Sequence, residues 1–278
     1  MKPSETTTPA GLEDDRGEAA RYFDEGRLEP AIDAQTEYVK THPADPDSRL
    51  FLFELLALAG QWDRAARQIA ALHYDDPALA HAAQVYANLI RAEGTRRDVF
   101  AGEASPRVVA PAPEHVSLRI EAAGALARDD ADRARELLGR AAELLPAVAG
   151  TLDGQPVDAF RDCDDLMGTT LEVMADTGEY FWVGLDQVEQ LTIRAAATPR
   201  DLLWLAAELT LSSGRVSQVF LPALYPDPQG RADDPVKLGR VTDWHQPVEG
   251  VVLGVGARLF VANDQAKPMI EIGELNVG

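Results

Sequence analysis

The stretch LDGQPVDAFRDCDDLMG, residues 152–168, gathers the side chains best suited to chemistry. Five aspartates, Asp153, Asp158, Asp162, Asp164 and Asp165, fall within thirteen residues around Cys163, the only cysteine of the chain. Carboxylates at this density could hold a divalent cation or work as an acid and base pair. A calcium loop needs oxygen donors at its first, third and fifth positions and glycine at its sixth. Counting from Asp162, Leu166 and Met167 occupy the fifth and sixth positions, so that pattern fails. A metal-dependent hydrolase built on the 162–165 cluster with Glu172 remains one alternative, although no Gly-rich phosphate loop accompanies it. The same aspartates also suit turns and caps. Asp153-Gly154 has turn chemistry, and Asp162 to Asp165 stand near the start of a helix expected over roughly residues 157–177. Acidic neighbours disfavour a thiolate, so Cys163 reads as a packed thiol rather than a nucleophile.

The remaining candidates for chemistry are weaker. His42, His73, His81, His115 and His245 show no metal-ligand spacing. GVGARLF, residues 254–260, has two glycines but no third and no following helix, so it is not a dinucleotide fingerprint. No Gly-x-Ser-x-Gly elbow occurs. The sequence therefore predicts a non-enzymatic protein with no catalytic residue, no cofactor and no metal.

Composition narrows the partners. The 278 residues carry 46 acids against 26 bases, a formal charge of −20, and both halves are acidic. Such a surface repels phosphate backbones and anionic lipid headgroups, which excludes nucleic acid and membrane as partners and favours a basic or amphipathic protein surface. The N-terminal residues lack the apolar run of a signal peptide or anchor, and the apolar window at 50–60 is too short to span a bilayer. A cytoplasmic protein is expected.

The elements that must position these residues are legible from an internal repeat. EGRLEPAIDAQTEYVKTHP (25–43) and AGQWDRAARQIAALHYDDP (59–77) match with Gly26 and Gly60, Ala31 and Ala65, and Pro43 and Pro77 each 34 residues apart. That is the tetratricopeptide period. Each unit reads as two antiparallel helices, the glycine ending the first and the proline stopping the second. A third copy, residues 126–146, places Ala134, Leu138, Ala141 and Leu145 on one apolar helical face. Between the copies lie a long helical pattern at 79–100 and a Pro/Ala-rich loop. The segment at 47–59 is apolar on nearly every side and should be sandwiched between neighbours.

After Gly150 the period shortens to short runs rich in β-branched and aromatic residues, including a hairpin with Ser213-Gly214 at its turn. The predicted fold class is α+β: a tetratricopeptide-like helical superhelix followed by a small, mainly antiparallel sheet or partly closed barrel. The expected divisions are a flexible leader over 1–16, a helical domain over 17–150 and an α+β domain over 151–278.

Seven segments carry a further signal: HPADPDSRLFLFELLALAGQWDRAARQI, GTLDGQPVDAFRDCDDLMGTTLEV, EYFWV, RDLLWLAAELTL, VFLPALYP, LGRVTDWHQ and GVGARLFVAND. In this order they resemble the ImpE family, also called TagJ, of bacterial type VI secretion loci, from about residue 19 to 275. GTLDGQP and FLPALYP are the distinctive motifs. The resemblance implies an accessory protein that binds the small subunit of the contractile sheath (TssB, or VipA) through a helix near that subunit's N-terminus, and that influences how the unfoldase ClpV handles the sheath. It also implies structural roles for the motif residues Asp153, Gly154, Pro156, Asp162, Asp164, Gly168, Glu172 and Trp182. The chain departs from the family at Thr169 and Gly184, where proline is usual. An amphipathic partner helix would lie in a cleft of the helical array, with Tyr22, Phe23, Phe51, Phe53, Trp62 and Tyr86 as candidate anchors. A general tetratricopeptide scaffold with another client is the second alternative.

Overall fold

The computed structural model describes residues 12–144, 146, 148–230 and 233–278. Seven helices come first: α1 (Leu12–Asp24), α2 (Leu28–Thr41), α3 (Pro46–Leu58), α4 (Trp62–Ala70), α5 (Pro77–Phe100), α6 (Glu114–Ala127) and α7 (Ala131–Glu143). Residues 1–11 of the expected leader lie outside the described residues, and from Leu12 onward its remainder belongs to α1. The repeat produces the helical hairpins α1/α2 and α3/α4, turned by Gly26 (φ +77°) and Gly60 (φ +70°), a left-handed backbone that favours glycine. Pro43 stands just past α2, as expected. Pro77 does something else: α4 has already ended at Ala70, and the proline opens α5, where Asp76 caps the Ala78 amide. The all-round apolar α3 is buried from Leu52 to Leu58. Ala134, Leu138 and Ala141 form the buried face of α7, while Leu145 lies outside the described residues.

The strands are β1 (Arg107–Val108), β2 (Gly150–Leu152), β3 (Gln155–Val157), β4 (Phe160–Asp162), β5 (Thr170–Ala175), β6 (Tyr180–Gly184), β7 (Val188–Ile193), β8 (Trp204–Leu211), β9 (Val216–Pro222), β10 (Thr242–Val248), β11 (Val251–Gly256), β12 (Leu259–Ala262), β13 (Gln265–Pro268) and β14 (Glu274–Val277). Nine of them form one open sheet in the order β1-β6-β5-β9-β8-β7-β14-β2-β3, with β13-β12-β4 and β10-β11 as smaller sheets. The α+β class is as predicted, and the sheet does not close into a barrel. β8 and β9 form the expected hairpin, with Gly214 at φ +80°. The helix expected over 157–177 does not form; β4, a tight turn and β5 occupy that stretch.

Strand alternation gives the large sheet two apolar faces. Met174, Tyr180, Trp182 and Trp204 join the helices in one core. Leu171, Val173, Val183, Leu205, Leu209 and Leu221 face the other way, into a second core that includes Phe160 and Phe260, stacked 4.9 Å apart. Trp204 rivets the helices to the sheet, with its ring 6.2 to 6.5 Å from those of Phe53, Trp62 and Tyr86. Because helices and sheet share this core, urea unfolding should be a single transition by far-ultraviolet circular dichroism and by tryptophan fluorescence. Trp204→Ala should lower its stability by about 3–5 kcal/mol; two separated transitions in the wild type would contradict the shared core.

Candidate functional site

Glu172 lies in the middle of β5, opposite Trp182 of β6, on the face that meets the helices. An ionised carboxylate there needs partners, and the long α5 supplies one from the first half of the chain. Arg96 donates from Nε to Oε1 of Glu172 at 2.7 Å and from Nη2 to Oε2 at 3.1 Å, a two-pronged contact. It also donates to Glu93 at 3.1 Å and to the Leu224 carbonyl at 2.8 Å. Arg258, in the link between β11 and β12, donates to Oε2 of Glu172 from the other side. The Tyr180 hydroxyl donates to Oε1, and Trp182 Nε1 donates to Tyr180 at 2.6 Å. Glu172 is fully buried. Burial opposes its ionisation, but the Arg96 and Arg258 guanidiniums outweigh that and hold its pKa down at about 2.

The aspartates extend this network. Asp162, at the end of β4, lies 3.6 Å from Arg258 and accepts from the Tyr225 hydroxyl at 2.7 Å and from the Asp164 amide at 2.8 Å. Asp164 accepts from the amides of Leu166 (2.8 Å), Met167 (3.1 Å) and Gly254 (2.8 Å). Burial raises the pKa of Asp162 to about 6 and that of Asp164 to about 7, with the mutual repulsion of the pair adding to Asp164. Cys163 is also pushed up, to about 11, by burial and by the adjacent Asp162. A thiol in that state is a poor nucleophile at neutral pH. Asp162 and Asp164 are engaged by Arg258, Tyr225 and backbone amides, an arrangement that locks the turn, while Asp162 Oδ2 has no hydrogen-bond partner among the described residues. Among the described residues no group of three histidine, cysteine, aspartate or glutamate side chains could hold a metal ion.

Three comparisons bear on what this arrangement belongs to. The ImpE protein family model matches residues 154–276, the part that contains Asp162, Glu172 and Arg258. The type VI secretion system accessory component TagJ of Pseudomonas aeruginosa is 34% identical over 251 residues, covering 90% of this chain and 88% of that protein. The chain belongs to the ImpE family. A crystal structure of protein VPA1032 from Vibrio parahaemolyticus superposes with a TM-score of 0.85 at 26% identity, covering 94% of this chain and 97% of that one.

The ImpE motif residues fall into two groups in space. Glu172, Trp182, Asp162 and Asp164 belong to the buried network. Gly168 (φ +49°) closes the turn against Arg119, whose guanidinium any Cβ at this position would strike. Pro156 stands in β3 opposite Thr151, and Asp153 and Gly154 form the β2–β3 turn. There Asp153 (φ +50°) accepts from the Gly273 and Glu274 amides at 2.9 and 2.8 Å and from Lys267 at 2.5 Å, tying down the last strand. Thr169 is buried 3.4 Å from His115, and Gly184 packs against Pro113 and Asp186 in space a proline ring would need. Sequence reasoning missed Arg96, Arg119, Arg258 and Tyr225, which come from four separate segments. The available signal was the Glu93/Arg96 pair at i, i+3 on a helix face shared with Val85, Leu89, Ala92 and Val99, and an arginine between two strands at Arg258.

Of the candidate anchors, Phe53 is fully buried, Trp62 is 8% exposed, and both are core residues. Tyr86 and Phe23 are half-buried, Tyr86 against Trp204 and Phe23 edge-on to Phe51 at 6.1 Å. Tyr22 and Phe51 line surface clefts.

Removing the charge of Glu172 leaves two buried guanidiniums without their counterion, so Glu172→Gln should cost about 3–5 kcal/mol at neutral pH. Because the folded pKa is depressed, the contribution of Glu172 is present above the ordinary value of 4.5 and is lost as pH falls toward about 2. Asp162 and Asp164 act in the opposite sense: the stability tied to their protonated forms is present below the ordinary aspartate value and is lost as pH rises through about 6 to 7. Urea titrations of both proteins between pH 3 and 8 should therefore converge at the acid end. Parallel curves would show that Glu172 is not the charged partner.

Proposed function

We propose that this protein is a non-enzymatic accessory component of a type VI secretion system. It binds the small sheath subunit through a helix near that subunit's N-terminus and so influences how ClpV handles the sheath. The observation that carries this reading is the alignment with a type VI accessory protein along nine-tenths of the chain. The functional partner of a chain whose carboxylates are locked into turns and ion pairs is more naturally a protein than a substrate. Among the described residues no helix is long and apolar enough to cross a membrane, which fits work in the cytoplasm beside the sheath.

Two neighbouring clefts of the helical array suit a basic amphipathic helix. One runs along α1 and α2 and is lined by Glu18, Tyr22, Asp33, Glu37, Lys40 and Arg64, three acids against two bases. The other has an apolar floor of Ala20, Leu50 and Phe51 beside Pro199, with Arg200 lining it and ion-paired to the buried Glu54. Apolar contacts would hold such a helix, while the acidic surround steers its approach.

Calorimetric titration with the N-terminal helical peptide of the cognate sheath subunit should give saturable binding with a negative heat-capacity change. Tyr22→Ala and Phe51→Ala should each weaken it about tenfold without loss of fold, as expected of interface anchors. Absence of binding to both the peptide and the whole subunit would remove the sheath from the proposal and leave a scaffold for another client.

A further inference from the structure

A further cleft, with a different lining from the two helical ones, gathers three arginines. It lies between α6, α7, the 165–168 turn and the tip of the β10–β11 hairpin, and Arg119, Arg135 and Arg161 converge on it, with Asp165 and Glu249 as its acids. Three guanidiniums in one cleft stand out on a chain of charge −20. Arg119 is 2% exposed, yet among the described residues it forms no ion pair. Its Nη1 donates to the carbonyls of Asp165 at 2.6 Å and Leu166 at 3.0 Å, and its Nε has no partner. Burial, only partly offset by Asp164 and Asp165, lowers the Arg119 pKa to about 10. A buried guanidinium bonded only to carbonyls is stabilised by any anion that reaches it.

The two acids of the cleft do not fill this role. Asp165 is engaged by the hairpin: its Oδ2 accepts from the Val252 amide at 2.8 Å, and its Oδ1 is 3.8 Å from Arg161. Glu249 is exposed at the hairpin tip. Arg161 and Arg135 are about half exposed, Arg161 donating to the Asp162 carbonyl at 3.1 Å and Arg135 to Asp132 at the rim at 2.6 Å. Between the charges lie Leu138, Gly139, Ala142 and Val251. Gly139 has no neighbour within 4 Å of where a Cβ would sit, so this wall is open.

We propose that this cleft binds the carboxylate of an acidic, partly apolar peptide segment of a partner protein, its methylenes on Leu138, Ala142 and Val251 and its oxygens between Arg119, Arg135 and Arg161. Asp132 pairs with Arg135 and Asp165 lies beside Arg161, so Arg119 is the one guanidinium of the cleft without a carboxylate partner among the described residues, and a single charge matches a carboxylate rather than a phosphate dianion. This surface is separate from the helical clefts, and its partner has the opposite charge, so either proposal can fail alone.

The test uses the full chain and follows backbone amide and arginine Nε resonances by NMR. The probes are an acetylated, amidated peptide of interspersed glutamate and leucine, its lysine and leucine counterpart, and inorganic phosphate. The acidic peptide should give saturable shifts at Arg119, Arg161, Gly168 and Gly250. The double substitution Arg135→Gln with Arg161→Gln, which spares the buried Arg119, should weaken binding at least tenfold, roughly the worth of one charge-assisted hydrogen bond. Arg215→Gln, on the exposed β8–β9 turn, should leave it unchanged. Absent or scattered shifts, or unchanged affinity in the double variant, would overturn the proposal. Phosphate binding more tightly than the peptide would overturn the assignment to a carboxylate.

Discussion

The carboxylate of Glu172, held between Arg96 and Arg258 in the interior, is the interaction on which the rest of this structure depends. Its three charged members come from α5, from the centre of the large sheet and from the link between β11 and β12. An ion pair gains net energy in a low-dielectric interior only when geometry and hydrogen bonding are nearly complete. Tyr180, Glu93 and the Leu224 carbonyl supply that completion around Glu172 and Arg96, whereas the buried Arg258 keeps Nε and Nη1 without a hydrogen-bond partner among the described residues. A small error in docking the helical array on the sheet would strand a buried charge, so the network selects one arrangement of the two halves.

Apolar packing supplies the bulk of the attraction and the polar network sets its register. Trp204, Phe53, Trp62 and Tyr86 join the halves through rings whose contacts tolerate some sliding. Glu172 does not tolerate it. Asp162, Asp164 and Arg119 carry the same logic outward, pinning the 163–168 turn to β11 and to α6. Within the acidic stretch, Asp162 and Asp164 are engaged in holding β4, the 163–168 turn and β11 together.

Much of this was legible in the residues. The 34-residue spacing of Gly26 and Gly60 marked two helical hairpins because a left-handed turn favours glycine and leaves a visible trace. Asp153, Asp162 and Asp164 accept from backbone amides, but in turns between strands and not at the start of a helix. A carboxylate that accepts from amides two and three residues ahead, as Asp164 does, looks the same at the start of a helix and in an isolated turn. Only the positive φ at Gly168 and the strand pairing of β5 ended the turn there. Pro77 misled for a similar reason, since a proline past one helix and a proline opening the next differ only in the length of the intervening loop.

The sequence by itself determined the α+β class, the helical hairpins, the β8–β9 turn, the acidic surface and membership of the ImpE family, because each of these rests on local spacing, composition or contiguous motifs. The tertiary structure alone decided which aromatics are core and which face solvent, that Glu172 takes its counterions from residues 76 and 86 positions away, and that Arg119, Arg135 and Arg161 share a cleft. Those facts depend on contacts between segments distant along the chain, and a carboxylate or guanidinium carries no local mark of the partner it will meet.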